Sequence, residues 1–218
     1  MAITQNTLIG RASGSVGNAT FSQWKGLNIL KQKPSVVANP RSSQQQSNRS
    51  RFVALMQMAL LMRPVATIGF KEYANRMSWM NKFMSTNTQS NLFEWVGTPE
   101  AGAWVRRSGN IVIAEGSLYP TTFESQFANA STLNLAWPTA VVANQNEVDS
   151  FIGIAVAETQ IRSISRLDGI TRSDATAQFI FDTPLNDGEE VLISGFFMSP
   201  DGAIVSNSFA MMGTYEAP

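Results

Sequence analysis

Near residue 97 the hydrophobic pattern of this chain changes its period, and that change limits the folds open to it more than any other feature. Before it, apolar residues recur at helical spacing: Tyr73, Met77, Met80 and Met84 lie three or four apart, with Trp79 and Phe83 beside them. After it, apolar residues fall in short runs parted by turn residues, as in Leu133, Leu135 and Trp137 alternating with Asn134 and Ala136. A chain of 218 residues can bury a core of either kind without metals or disulfides. The segment from Val96 to Gly102 is read as the linker, giving domains over 1–97 and 98–218.

Charge changes at the same place. Residues 1–97 carry eleven basic side chains against Glu72 and Glu94, a net +9, while residues 98–218 carry five against fourteen acidic ones, a net −9. The total of zero hides this split. Such asymmetry fits a polyanionic partner for the first half, or subunits meeting basic face to acidic face.

Within the first half, glycines punctuate short apolar stretches up to Lys31, which predicts a small β-meander. The segment Gly10–Gly17 lacks the Lys-Ser or Lys-Thr of a phosphate-binding loop. Pro34 and Pro40 break the pattern, and Ser42 or Ser43 can then cap a long helix running to about Arg63, stopped by Pro64. A second helix is expected over about Phe70 to Met84. The second half predicts strands over Asn110–Ala114, Thr132–Trp137, Phe151–Ala157, Thr176–Asp182, Val191–Met198 and Ile204–Met211, with Ser199-Pro200-Asp201-Gly202 as a hairpin turn. The expected fold is α+β: a β-meander plus helices, then an immunoglobulin/fibronectin-III-like β-sandwich.

Histidine and cysteine are both absent. This removes Ser-His and Cys-His nucleophile pairs, imidazole and thiolate metal sites and disulfides, so the expectation is a protein that is not an enzyme and needs no cofactor or metal. Oxygen ligands could gather around Asp182, Asp187, Glu189 and Glu190, or around Asp168 and Asp174, but neither group has the spacing of a calcium loop. The N-terminus lacks the charged and apolar regions of a signal peptide, and the apolar run Phe52–Met62 is short of the about 20 residues of a membrane span.

Two groups of residues are candidates for contact. Lys25, Lys31, Lys33, Arg41, Arg49 and Arg51, with Phe21 and Trp24 near them, could meet a polyanion or the acidic half of a neighbouring subunit. Phe52, Leu55, Met56, Met58 and Met62 form the candidate apolar interface, since that stretch of helix is apolar on nearly every side.

Several segments resemble an uncharacterised domain family of Bacteroidetes and their bacteriophages. They are Gly14-x-x-Gly17-Asn18, Asn39-Pro40-Arg41-Ser42-x-x-Gln45-x-x-x-Arg49 (with Ser42 where Thr is expected), Ile68-Gly69-Phe70-Lys71, Glu115-Gly116-Ser117-Leu118 and Ser199-Pro200-Asp201-Gly202 followed by Ser206-Asn207-Ser208. The resemblance implies a two-part architecture and no catalytic residues. The resulting expectation is a structural subunit of a multi-copy assembly, a virion protein made in the host cytoplasm, whose partners are its own copies and other virion proteins. A surface or host-interaction module binding glycan or protein is the alternative, and nucleic-acid binding through the basic half the third reading.

Overall fold

Glycine turns do organise the first strands. In the computed structural model, residues 2–4, 13–35, 42–73, 77–88, 92–97, 102–106, 110–157 and 164–217 are described. Strands β1 (Ala2–Thr4), β2 (Gly14–Val16), β3 (Ala19–Trp24) and β4 (Leu27–Gln32) form an antiparallel sheet in the order β1-β4-β3-β2. The β3–β4 turn places Lys25 at φ 48° and Gly26 at φ 81°, the paired positive φ that a two-residue hairpin requires. Strands β2, β3 and β4 form the expected meander, while β1 departs from it by pairing with β4. Thr7 to Arg11 and Val36 to Arg41 lie outside the described residues.

Helix α1 (Ser43–Leu61) opens as expected, with the Gln45 amide donating to Ser42 Oγ at 3.3 Å. Pro64 does not stop the helical path. A second helix, α2 (Arg63–Gly69), starts after a bend of 85° with Pro64 in its first turn, where the missing N–H has no intrahelical partner to lose. The helix expected over Phe70–Met84 is displaced: Phe70 ends α2, and α3 runs from Trp79 to Thr88. Among the described residues no single helix is long and apolar enough to cross a membrane.

The span read as a linker belongs in part to a two-stranded hairpin, β5 (Phe93–Gly97) with β6 (Gly102–Arg106). Seven further strands make the sandwich: β7 (Glu124–Asn129), β8 (Thr132–Ala136), β9 (Ser150–Ala157), β10 (Ile164–Thr171), β11 (Thr176–Ile180), β12 (Glu190–Met198) and β13 (Phe209–Thr214). They divide into an antiparallel three-stranded sheet β11-β8-β7 and an antiparallel four-stranded sheet β10-β9-β12-β13. The chain is thus α+β with a two-sheet sandwich.

Strands β9 and β12 are buried on both faces. Phe151, Ala155, Val191, Ile193 and Phe197 point to the other sheet and pack with Leu133, Leu135, Trp137 and Phe179. The alternate residues Ile152, Ile154, Val156, Leu192 and Phe196 point the opposite way, onto Leu55, Ala59, Met62, Val65, Phe70 and Phe83 of the helical segment. Each Val, Leu, Ile, Phe or Met among them contributes roughly 1.5–3 kcal/mol by burial. The helices therefore share a core with the sandwich. Accordingly the compact units divide at Met1–Gln45 and Gln46–Pro218, not at residue 97: the composition changes there, but the core runs across it.

The strand expected over Asn110–Ala114 is extended without a ladder. Its backbone bonds go to side chains: Val112 N–H donates to Asn87 Oδ1 at 2.9 Å, and Ile113 N–H to Ser208 Oγ at 3.0 Å. The turn at Ser199–Gly202 is present, with Gly202 N–H donating to Ser199 O at 2.8 Å, though the strand after it begins only at Phe209.

Candidate functional site

Three of the segments that carried the family resemblance meet at one place in the unit Gln46–Pro218. Gly69 closes α2 so tightly on the extended segment that a Cβ there would lie 2.2 Å from Ile113 O, and its own carbonyl accepts the Glu115 amide at 3.2 Å. Gly116 is equally hemmed in, since a Cβ would lie 2.0 Å from Val205 O. The Glu72 carboxylate accepts from the amides of Ser117 (3.2 Å) and Val205 (3.3 Å), and Asn207 Oδ1 accepts from the Gly116 amide at 3.1 Å. Lys71 Nζ reaches Gly202 O at 3.2 Å. Only glycine permits these approaches, and side-chain acceptors satisfy the amides of Gly116, Ser117 and Val205.

Beside this knot lies a depression of 440 Å3 lined by Tyr73, Val112, Glu115, Asn207 and Ser208. Its carboxylate is already engaged: Glu115 pairs with Lys82 at 2.6 Å and accepts from Thr86 Oγ1 at 2.9 Å, while Lys82 Nζ stands 5.6 Å from the Tyr73 ring. The chemistry of this arrangement is fastening. It locks the end of α2 and the turn after it to the two chain segments that cross the sandwich edge.

The candidate contact residues separate. Lys25, Lys31 and Lys33 are exposed at the β3–β4 hairpin, with Lys25 Nζ 5.3 Å from the half-exposed Trp24 ring. Arg41 lies outside the described residues. Arg49 is exposed on α1, but Arg51 is half-buried and donates to Thr88 O at 2.7 Å, where it meets the carbonyl end of α3. Of the apolar candidates, Leu55 and Met62 are core residues and not interface, because they fill the space between α1 and the four-stranded sheet. Met58 is partly buried against the same core. Phe52 (51%) and Met56 (40%) are exposed, joined by Val53 (52%) and Leu60 (56%), which the sequence reading passed over.

Three of the acidic side chains, Asp174, Asp187 and Glu189, are engaged by backbone amides. Glu189 Oε2 accepts from the Asn186 amide at 2.9 Å, Asp187 Oδ1 accepts from Ala217 N–H at 2.8 Å, and Asp174 Oδ2 accepts from Thr171 N–H at 2.7 Å and its hydroxyl at 2.9 Å. The bonds from Thr171 hold the Asp174 carboxyl below the usual carboxylate range.

Sequence reasoning missed a buried ion pair. Arg172 and Asp149 are both buried, with Nε and Nη2 each 3.3 Å from Asp149 Oδ2 and the guanidinium 4.0 Å from the Phe197 ring. Burial pushes the guanidinium below its ordinary value against the opposing pull of Asp149, and an arginine remains protonated regardless. The Asp149 amide closes a turn on Asn146 O, and the Arg172 amide donates to Asp149 O at 2.9 Å, so the pair pins the loop before β9 to the turn after β10. Nothing in the local sequence marks a side chain 23 positions away as the partner.

On the outer face of the three-stranded sheet, Gln126, Asn134 and Gln178 stand in one cross-strand row, in a hollow of 670 Å3 that Glu124 and Thr176 also line.

A family model described as a family of unknown function (DUF6266) matches residues 11–212. A comparison with curated protein sequences finds no match. Among solved structures, the chain is similar to the fn3 domain of human collagen alpha-1(XX) chain (TM-score 0.37, 10% identity, covering 48% of this chain and 92% of that one). It is also similar to the fn3 domain of human contactin 1 (0.33, 13%, 56% and 94%) and to the fibronectin type-III domain of human fibronectin type III domain containing protein 3 (0.35, 16%, 48% and 91%).

Proposed function

We propose that this chain, which belongs to DUF6266, a family of unknown function, is a structural subunit that acts by joining copies of itself and other proteins into a multi-copy assembly, a bacteriophage virion component. One observation carries the reading. Among residues 13–35 and 42–45 of the unit Met1–Gln45 not one is buried, although the unit forms a four-stranded sheet with Phe21, Leu27, Ile29 and Leu30 in its strands. Pairing places Leu27 and Ile29 on one face with Trp24, and Phe21 and Leu30 on the other, so each face carries an apolar stripe that lacks a full cover. An apolar sheet face is stabilised by burial against another layer. A subunit that completes its sheet in an assembly supplies that layer.

The charge split supports the same reading, since the unit Met1–Gln45 holds Arg11, Lys25, Lys31, Lys33 and Arg41 and no carboxylate, which suits acidic neighbours. The sequence resemblance to a family of Bacteroidetes and their phages supports the virion context. Mass spectrometry of purified phage particles that encode the chain is expected to find it in many copies; its absence from them overturns the virion role. Sedimentation velocity of the purified chain tests assembly itself, with species larger than monomer expected as concentration rises. A second reading, a glycan-binding surface module, is favoured by the amide row in the 670 Å3 hollow, and a glycan array with Gln126→Ala and Asn134→Ala controls distinguishes it.

A further inference from the structure

Two exposed apolar patches in the unit Gln46–Pro218 have complementary surroundings. The first is the face of α1 beside its buried stripe, where Phe52, Val53, Met56 and Leu60 are between 40% and 56% exposed. Exposed apolar residues scattered singly are ordinary, but these four recur at one, four and eight positions and form one continuous face. Arg49 and Arg63 flank it, and neither α1 nor α2 contains a carboxylate.

The second patch is at the end of the sandwich, above the Asp149–Arg172 pair. Tyr119 (51%), Val141 (41%), Val142 (47%) and Val148 (53%) are exposed there. Hydrogen bonds fix the loops that present them: Tyr119 N–H donates to Asn144 Oδ1 at 2.8 Å, Val142 N–H to Gln145 Oε1 at 3.0 Å, Gln145 Nε2 to Tyr119 O at 3.1 Å and Val148 N–H to Asn146 Oδ1 at 3.2 Å. The Ser173 amide donates to Glu147 O at 3.0 Å, which brings exposed Glu147 and Asp174 to the rim of this tip. The segments 117–123, 138–149 and 171–175 hold one cation, Arg172, and it is buried.

We infer that copies of this chain join head to tail, the α1 face of one copy seated on the sandwich tip of the next. Like-on-like pairing is disfavoured for both patches, because α1 on α1 sets arginine against arginine and tip on tip sets carboxylate against carboxylate. The crossed pairing matches apolar to apolar inside a ring of opposite charge. The tip is ordered before contact, so little conformational freedom is lost on binding. Such a contact is heterologous and does not saturate in a dimer: it closes a ring or continues as a filament, as a multi-copy subunit requires. This rests on the assembly reading above and names the surface that performs it.

The absence of cysteine makes the test direct. Leu60→Cys and Val148→Cys are made in separate chains, both at exposed positions, mixed, and treated with a short bis-maleimide; Met56→Cys with Val142→Cys is a second pair. Circular dichroism melts establish that each variant folds. Linked dimers are expected in the mixtures and not in either variant alone. Charge reversal gives an independent readout: Glu147→Lys is expected to weaken association about tenfold, and Arg63→Glu in the same chain to restore it. Self-linking of Leu60→Cys overturns the head-to-tail arrangement in favour of a symmetric α1 contact. An intact chain that assembles in sedimentation while neither mixture links overturns the proposed surface alone, and a chain that stays monomeric at every concentration removes the assembly reading beneath it.

Discussion

Replacing Asp149 by alanine leaves the Arg172 guanidinium charged, with no exposed surface and without its counter-ion. The structure sets the scale of the loss. Asp149 Oδ2 accepts from Arg172 Nε, Arg172 Nη2 and the Asn146 amide, so one substitution strands three donors at once, one group of them ionised. Breaking a buried pair from one side costs about 3–5 kcal/mol, whereas removing both charges together costs far less. Asp149→Ala should therefore lower the stability of the unit Gln46–Pro218 by about 3–5 kcal/mol, which lowers its melting temperature by about 6–20 °C. The double variant Asp149→Ala/Arg172→Met should lose only about 1–2 kcal/mol, the cost of the Asn146 amide left without its acceptor, since the Thr121 hydroxyl keeps its bond from Gln145 Nε2. Urea unfolding followed by tryptophan fluorescence measures both, because Trp137 Nε1 donates to Arg172 O at 2.9 Å and its ring lies 5.0 Å from Phe151. A single variant that loses less than about 1 kcal/mol, or a double variant at least as unstable as the single, would refute the claim that this pair is desolvated and mutually dependent.

Three other substitutions test the same unit. Gly116→Ala should destabilise by about 1–3 kcal/mol in urea unfolding, since its Cβ meets Val205 O at 2.0 Å and backbone must move. Asn87→Ala should cost about 2–4 kcal/mol and speed hydrogen exchange at Val112, whose N–H and C=O both bond to the Asn87 amide. The Asp201 carboxyl is held below the usual range first by the Ser199 hydroxyl and then by Ala203 N–H, so its stabilising effect is present above the ordinary carboxylate pKa and lost as pH falls through the depressed one. Ser199→Ala should thus raise the Asp201 pKa in an NMR titration and make stability less sensitive to acid.

Strands with a buried face were legible from the apolar pattern: the alternation of Leu133 and Leu135 places β8, and the continuous apolar runs from Phe151 and Val191 place β9 and β12. The polar strand β7, ESQFAN, offers one partly buried aromatic, Phe127, and its ladder is dictated by β8 beside it, so no periodicity revealed it. Asn110–Ala114 read as a strand because it is a short apolar, β-branched run, yet side chains of Asn87 and Ser208 replace the ladder, and no local signal announces such distant partners. The interface candidates divided for a related reason. An all-round apolar helix is visible in Phe52–Met62, but which side faces the sheet depends on tertiary packing, which assigned Leu55 and Met62 to the core and left Phe52 and Met56 outside. Charge asymmetry was readable as a sum; the position of the compact-unit boundary was not, since it follows shared burial rather than composition.

The burial of β9 and β12 on both faces has a consequence for how this sandwich can be moved or recombined. Sandwiches strung in tandem keep one face of each sheet in water and can be cut out as beads. Here an excised fragment of residues 110–218 would turn Ile152, Ile154, Val156, Leu192 and Phe196 outward along two adjacent central strands. That is a contiguous greasy wall, and such a fragment is expected to precipitate or to demand detergent rather than fold as a portable unit. The three helices are a lid welded to this sandwich, so duplication or transfer of this module in evolution must carry residues 46–92 along with it.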